Sequence, residues 1–418
     1  MSLKNPHAWL QQELPKWISE GIVDTTQAQK IQALYPEQQS IGWGRILVSA
    51  FGAVMIGLGV VLLFAYNWDE ISRLGKMAII LSTLVVTHWF AYRTRIKQRH
   101  GLSESLFILA TMLFGAGIWL VAQVYHLDEH YPNAFLLWGT GSLLLAWALP
   151  SLPQAILTLA LFTTWHLTQV MDFEFATHEA LLLLVLGVFP LVWRLRSPVL
   201  AKLAATTFFV SLGLTTASVN EHLFGSVLLI AAVIFIFTAV ITARSHDHQL
   251  QMIGSSLASP AYLVLVVILI LMTFGDIAND LIRVSFDSPT EYWYFYGAFI
   301  LSQALFVLIV LRKQLNLLVV SIELALLLGV YPSLFNIGAI PLLYNLLLLV
   351  MATGLIYEGS HQHNTRKMMQ GSIILSVLVL ARFSDMFDSL IARALAFFIV
   401  GLMLFVAGHA FNRKRKAD

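Results

Sequence analysis

Residues 223–243 read LFGSVLLIAAVIFIFTAVITA, an uncharged apolar run that ends immediately before Arg244. A helix needs roughly 20 apolar residues to cross the hydrocarbon core of a bilayer, and this run meets that requirement. Comparable runs recur along most of the chain. The sequence therefore predicts an all-α, polytopic helical integral membrane protein.

Amino-acid composition leads to the same class. Apolar residues make up 58% of the 418 residues and charged residues 11%, whereas soluble domains contain roughly 45–50% and about 25%. Cysteine is absent, which excludes disulfides and thiolate chemistry. The net charge of +2 shows no strong basic or acidic bias, so we expect no nucleic-acid partner.

The apolar runs divide the chain into a polar segment 1–40, a transmembrane bundle 41–411 and a basic tail 412–418. We expect about 14 spans, or 12 if the uncharged turn at 150–153 belongs to a re-entrant hairpin. The predicted spans are 45–66, 77–92, 104–125, 134–149, 152–169, 179–195, 199–218, 223–243, 257–274, 292–311, 315–332, 337–357, 369–382 and 390–411.

Lysine and arginine residues are distributed unevenly between the segments that connect the predicted spans. If residue 1 lies inside, 20 of the 25 lysines and arginines fall in inside segments. Cytoplasmic loops of membrane proteins are rich in lysine and arginine. The sequence therefore predicts an even number of spans with both termini in the cytoplasm. The five cations assigned outside are Arg73, Lys76, Arg283, Arg382 and Arg393.

Residues 1–40 are predicted to form a cytoplasmic helical hairpin rather than a signal peptide, because they are polar and patterned. One helix runs from Pro6 to Glu20, with Gly21 as its C-terminal cap. The second starts at Asp24 or Thr25 and runs to about Tyr35. Such a hairpin offers a surface for a cytoplasmic protein partner.

Several motifs resemble a known family. They are WISEGIVDTTQAQKIQALY (17–35), NWDEISRLGK (67–76), RFSDMFDSLIARALAFFIVG (382–401) and the tail NRKRK (412–416). Together they are similar to the bacterial predicted-membrane-protein family called domain of unknown function 2157. The resemblance implies a multi-pass protein of the bacterial inner membrane with a cytoplasmic helical hairpin, and it implies no activity.

Glu323 is the most informative single position. It lies in LLVVSIELALLLGVY (317–331), about eight residues from either end of its predicted span. A charged carboxylate at that depth costs several kcal/mol, so Glu323 either couples transport to a proton or cation, or hydrogen-bonds a neighbouring helix as a neutral acid. Candidate partners are Gln303, Asn345 and Arg382.

Two polar clusters are predicted at outer turns. Each carries acidic groups near cations, so each either binds an anionic headgroup or solute or forms interfacial salt bridges. The first cluster contains Asn67, Asp69, Arg73 and Lys76, and the second contains Arg382, Asp385, Asp388 and Arg393.

Other polar residues are given structural roles. His126, Asp128, Glu129 and His130 fit no strong metal template. His88, His166 and Gln169 lie within or near span ends, where they either anchor those ends at the membrane interface or relay protons. Metalloprotease, hydrolase and phosphate-loop motifs are absent from the sequence. No cofactor or metal is expected.

Three function classes remain open. The first is a secondary carrier or flippase for a small or lipid-linked substrate, supported by the span count and by Glu323. The second is a membrane scaffold or regulatory protein that binds a partner through residues 1–40. The third is an intramembrane enzyme that acts on a lipid-linked substrate at the Arg382 cluster.

Overall fold

The computed structural model describes residues 6–34, 72–126, 130–174, 178–275, 284–331 and 339–386, with a few isolated positions elsewhere. Within these residues every regular element is a helix, which confirms the all-α class. Seven of the described helices are long and apolar enough to cross a membrane, while the count of fourteen stays a prediction. The predicted spans 45–66 and 390–411 lie largely outside the described residues.

Contacts divide the chain into two compact units, residues 1–125 and residues 126–418. The boundary at 125/126 falls inside the region that the sequence predicts as one bundle, 41–411. Each unit is described separately below. The seven candidate spans are Arg73–Ile96, His100–Tyr125, Pro198–Val219, Glu221–Thr242, His248–Leu271, Pro289–Leu311 and Ile340–His361.

The first unit begins with the predicted hairpin, formed by α1 (Pro6–Ser19) and α2 (Thr25–Leu34). Gly21 has φ of +70° and ends α1. Ile22 N donates to Trp17 O at 2.9 Å and Gly21 N to Ile18 O at 3.1 Å, the two bonds of a Schellman motif.

The start of α2 is fixed by a reciprocal capping box. Gln27 N donates to Asp24 Oδ1 at 2.7 Å, and Asp24 N donates to Gln27 Oε1 at 3.1 Å. Leu10 and Leu14 of α1 pack against Ala28 of α2 in a small buried core. Residues 6–34 therefore form a helical hairpin in which Asp24 is the N-cap of α2, while its cytoplasmic location stays a prediction.

A second helical pair completes the described part of the first unit, with α3 at Arg73–Ile96 and α4 at His100–Tyr125. The helices are antiparallel, because Ser103 Oγ at the start of α4 donates to Ala91 O at 3.0 Å near the end of α3. Arg95 and Glu104 form a salt bridge of 2.8 Å at the same end.

The second unit contains the remaining helices, and a serine, aspartate or asparagine side chain caps the start of several of them. The helices are α5 (Pro132–Ala148), α6 (Leu152–Phe173), α7 (Glu179–Leu183), α8 (Phe189–Leu195), α9 (Pro198–Val219), α10 (Phe224–Thr242), α11 (His248–Leu271), α12 (Pro289–Leu311), α13 (Leu317–Val330), α14 (Ile340–His361) and α15 (Thr365–Met386).

Helix α10 is the centre of this unit, and it corresponds to the predicted span 223–243. It packs against α11, α12 and α13, and its side chains contribute much of the larger hydrophobic core. A smaller core joins α5, α6 and α9 to residues 184–188, to α8 and to Ile253 of α11. Helix α11 begins at His248, nine residues before the predicted start at 257, because Asp247 Oδ1 accepts from Gln249 N and caps it.

The last two described helices approach each other at backbone distance. A Cβ on Gly371 of α15 would lie 2.6 Å from Ala352 O of α14, and a Cβ on Gly359 would lie 2.5 Å from Met368 N. Small residues allow this contact between membrane helices, where dispersion forces replace the hydrophobic effect.

The predicted span 179–195 is not one regular helix. A π-helical turn, Leu184–Val188, separates α7 from α8, and Phe189 N donates to Leu184 O five residues earlier. Pro190 follows at once, and its missing N–H removes one α-helical hydrogen bond. The wider π-helical turn lies where this hydrogen bond is lost.

Contacts between helix ends agree with the prediction that successive connecting segments lie at alternate ends of the helices. His130 contacts Gln169 and Asn220 contacts Glu291, and all four belong to the end predicted to face outward. Four pairs of the same kind join residues predicted to face inward: Trp147 with Arg194, Trp193 with Gln249, Arg244 with Lys313, and Glu358 with Lys367. We call these two ends of the second unit the outer end and the inner end.

Helix α5 reaches from one end to the other. Tyr131 before its start hydrogen-bonds Asp172 at the outer end, and Trp147 near its close contacts Arg194 at the inner end. Neither α5 nor α6 is among the seven candidate spans, so the choice between two spans and a re-entrant hairpin at 134–169 stays a prediction.

Candidate functional site

Glu323 lies at the middle of α13, as the sequence predicts. It is the seventh of fourteen residues and is 6% exposed. With a rise of about 1.5 Å per residue, it lies roughly 9 Å from the inner end of the helix. The carboxyl group is therefore carried by the buried middle of a helix whose residues Ile322, Ala325 and Leu326 belong to the larger hydrophobic core.

Gln303 of α12 is the polar neighbour of Glu323. The two side chains lie close enough to interact, yet Glu323 Oε2 and Gln303 Nε2 both remain buried without a full hydrogen bond. Gln303 was one of the three partners named from the sequence, and its position beside Glu323 is confirmed.

No cation among the described residues is paired with the carboxyl group of Glu323. An isolated ionised carboxylate is too costly in this environment. The group is therefore compatible with two states, a neutral acid and a carboxylate that holds a bound cation.

Two hydroxyl groups beside α13 are satisfied by backbone carbonyls. Tyr344 Oη donates to Ala325 O at 3.0 Å, and Ser226 Oγ donates to Gly329 O at 3.1 Å. Asn345, the second predicted partner, donates through Nδ2 to Pro341 O at 2.8 Å, while its Oδ1 is buried without a partner. Glu323 and Gln303 thus stand out from a neighbourhood whose hydroxyl groups are mostly paired.

Arg382, the third predicted partner, lies near the outer end of α15 and contacts the end of α11. Its Nη2 donates to Thr273 Oγ1 at 2.8 Å and also to Thr273 O, and its guanidinium lies 4.6 Å from the ring centre of Phe274. A cation at the C-terminal end of a helix interacts favourably with the exposed carbonyls there. These contacts favour the interpretation that Arg382 stabilises the end of α11.

The remaining predicted site residues are distributed as follows. Arg73 is exposed and opens α3 together with Lys76, both in the first unit. Asp385 belongs to α15, but its side chain is outside the described part, and Asn67, Asp69, Asp388 and Arg393 lie outside the described residues. The two predicted outer clusters therefore stay predictions.

Comparison with known proteins supports a membrane protein. Residues 15–155 match the family described as predicted membrane protein (DUF2157). The DUF2157 match covers the motifs at 17–35 and 67–76 and confirms the resemblance there. It ends well before Glu323, Gln303 and Arg382, so the motif at 382–401 lies beyond it. No curated protein and no solved structure matches the chain.

Two polar residues that the sequence places near a span end are buried. His166 and Gln169 lie on the buried face of α6, just beyond the DUF2157 match, with His166 fully buried and Gln169 nearly so. This burial argues against a lipid-facing side chain at either position and leaves the proton-relay alternative open. Their spacing of three positions places them on one helix face, and that was the signal in the sequence.

Proposed function

We propose that this protein is a secondary carrier or flippase whose transport cycle is coupled to binding of a proton or a small monovalent cation at Glu323. The observation that carries the proposal is the buried, unpaired carboxyl oxygen of Glu323 beside the unpaired amide of Gln303. Ionisable residues inside membrane helices mark ion and proton pathways in transporters.

The pair has the chemistry that such a site needs. A carboxylate oxygen and an amide oxygen are ligands that suit hard cations, and the two ends of an amide side chain are interchangeable by rotation. A protonated Glu323 would instead present a hydrogen-bond donor to the same amide. Either form replaces an uncompensated charge by a neutral assembly.

A first experiment tests the binding step on the full chain in nanodiscs. The thermal unfolding midpoint is measured across pH and in NaCl against choline chloride at equal ionic strength. We expect the midpoint to depend on pH or sodium, because ionising an uncompensated Glu323 destabilises the fold, and we expect Glu323→Gln to abolish that dependence.

Glu358→Gln is the matched control, since Glu358 is paired with Lys367 at 2.9 Å at the inner end, where both groups are half-buried. This control should leave the dependence intact. If Glu323→Gln retains the dependence of the parent chain, Glu323 has no part in ion binding and the proposal fails.

A second experiment tests transport. Proteoliposomes that contain a pH-sensitive dye are challenged with a sodium gradient, and others with fluorescently labelled phosphatidylglycerol are assayed for lipid movement between leaflets. We expect activity in one of the two assays, lost in Glu323→Gln at unchanged protein content. Absence of both activities would favour the scaffold alternative.

The scaffold alternative rests on α1 and α2. Their hairpin has its own core and two specific caps, and it leaves Ile22 62% exposed. Deletion of residues 1–40 separates the alternatives, because it should abolish a scaffold function and leave ion binding at Glu323 unchanged.

A further inference from the structure

A cluster of cations lies at the turn between α3 and α4. Arg93, Arg95, Lys97 and Arg99 fall within seven residues of the chain. Arg95 is paired with Glu104 at 2.8 Å. The other three cations are exposed and form no salt bridge with any residue that the structure describes. The turn therefore presents three positive charges that the described part of the chain does not neutralise.

The backbone of this turn is held in place by hydrogen bonds. Lys97 N donates to Arg93 O at 3.2 Å, and Arg99 N donates to Thr94 O at 3.1 Å, so the end of α3 passes directly into α4. The bond from Ser103 to α3 fastens the start of α4 at the same place. The cations are thus attached to a fixed backbone, which reduces the entropy lost when a ligand binds.

Aromatic side chains precede the cations on α3. Trp89 is 51% exposed and Tyr92 is 57% exposed. The guanidinium of Arg93 lies 5.0 Å from the centre of the Trp89 ring, a distance that permits a cation–π contact. Tryptophan and tyrosine concentrate in the headgroup layer of a bilayer. Their position near the end of α3 therefore places the three cations at or beyond the level of the lipid phosphates.

The rest of α3 is suited to contact with lipid. A smaller share of its residues is buried than in any of the other six candidate spans, 11% against 22–61%. Leu81, Val85 and Val86 are more than half exposed. At 100° per residue, these three side chains, Trp89 and Arg93 fall within an arc of about 140°. A ligand that lies along this face would meet apolar side chains along its length and cations at one end.

This order of groups fits one class of ligand. An anionic phospholipid carries acyl chains that match the apolar face and a phosphate that arginine and lysine bind. Lysine and arginine clusters beside a transmembrane helix recognise anionic headgroups, and each cation near an anionic surface raises the affinity about fivefold. A soluble anion would match the cations and make no use of the aromatic and apolar residues that precede them.

The turn between α12 and α13 provides cations without this combination. Arg312 and Lys313 are exposed there, and Arg366 at the start of α15 is a third exposed cation of the inner end. The last two turns of α12 contain no tryptophan or tyrosine. These three cations therefore form a matched set that lacks the aromatic layer.

We propose that the turn between α3 and α4 is a binding site for an anionic phospholipid, with Arg93, Lys97 and Arg99 in contact with the phosphate and an acyl chain along the exposed face of α3. The ligand comes from the bilayer itself, since both helices are candidate spans and their turn then lies at a membrane surface. The proposal is independent of Glu323, because it concerns the first unit and requires no transport.

Native mass spectrometry of the full chain in detergent tests binding. The protein is titrated with phosphatidylglycerol or with phosphatidylcholine that has the same acyl chains. We expect phosphatidylglycerol to bind at least tenfold more tightly, and inorganic phosphate at the same concentration should not displace it. The triple variant Arg93→Gln/Lys97→Gln/Arg99→Gln should lower the affinity for phosphatidylglycerol at least tenfold and leave that for phosphatidylcholine unchanged.

Arg312→Gln/Lys313→Gln/Arg366→Gln is the matched control, because it removes the same charge from the other set of exposed cations. It should retain the phosphatidylglycerol affinity of the parent chain. Equal losses in the two triple variants would show attraction by total charge and would overturn the proposal. Equal binding of the two lipids, or displacement of the lipid by inorganic phosphate, would also overturn it.

Amine acylation in nanodiscs locates the site without any substitution. The labelling rates of Lys97 and Lys313 are measured by peptide mass spectrometry in phosphatidylcholine, with and without phosphatidylglycerol. We expect phosphatidylglycerol to slow the labelling of Lys97 severalfold more than that of Lys313. Equal slowing would contradict the proposal. So would a Lys97 that is already protected in phosphatidylcholine alone, because protein would then cover the turn.

Discussion

The indole Nε1 of Trp147 donates a hydrogen bond of 2.9 Å to the carbonyl oxygen of Gly187, inside the π-helical turn between α7 and α8. Arg194 Nη1 donates to Trp147 O at 2.9 Å, and its guanidinium lies 5.4 Å from the centre of the indole ring. Trp147 therefore connects the end of α5 to the π-helical turn and to α8, the helix that follows it.

Trp147→Phe tests this tie. The change keeps the aromatic ring and removes the hydrogen bond to Gly187, so we expect the free energy of unfolding to fall by about 1 kcal/mol. Thermal unfolding of the purified chain measures the loss. Trp193→Phe is the control, because Trp193 is largely exposed and should tolerate the change, and equal effects of the two substitutions would refute the tie.

Gly371→Ala tests the close approach of α14 and α15. The new Cβ would lie 2.6 Å from Ala352 O, and because that atom belongs to the backbone, the helices must separate. Overpacking of this kind costs about 1–3 kcal/mol. The loss of stability should appear as a lower unfolding midpoint. Gly297→Ala is the control and should be neutral or slightly stabilising, because a Cβ at that position meets nothing within 4 Å.

Arg382→Lys distinguishes a role of Arg382 in stabilising the end of α11 from a role in binding an anion. Lysine keeps the charge but lacks the planar fork that reaches Thr273 and stacks on Phe274, so we expect about 1–3 kcal/mol of destabilisation. The measurement is thermal unfolding with and without added inorganic phosphate. A parent chain that phosphate stabilises, and an Arg382→Lys chain that it does not, would instead support the anion-binding hypothesis.

Gly21→Ala tests the cap of α1. Alanine at φ of +70° is strained, and the change should destabilise the hairpin by about 1 kcal/mol. Limited proteolysis of the full chain should therefore cut faster within residues 6–34. Gly101→Ala serves as the control, since a Cβ there meets nothing within 4 Å, and unchanged cleavage at 6–34 in Gly21→Ala would contradict the prediction.

The all-α class and most helix positions could be predicted from the sequence, because long apolar runs and helix-capping residues are local signals. The predicted span 223–243 matches α10, and Asp24 and Gly21 delimit the hairpin as expected. The central position of Glu323 was equally local information. Its burial in the fold agrees with the cost of exposing a carboxylate to lipid.

Features that depend on two distant segments were harder to predict. Gln303 was one candidate among three, because nothing local in α12 shows which residue of α13 it faces. The burial of His166 depends on Thr215 of α9, forty-nine positions away. Likewise, the effect of Pro190 on the preceding turn is visible in the sequence, but the hydrogen bond that Trp147 supplies to Gly187 is not.

The backbone contact between α14 and α15 restricts how a carrier of this architecture could alternate its access. Sliding one of these helices along the other would bring side chains against backbone atoms that Gly371 and Gly359 now approach closely, so we expect the pair to move as one rigid body. Any gating motion then has to be absorbed elsewhere in the second unit, and the π-helical turn before Pro190 has the irregular backbone that a hinge requires.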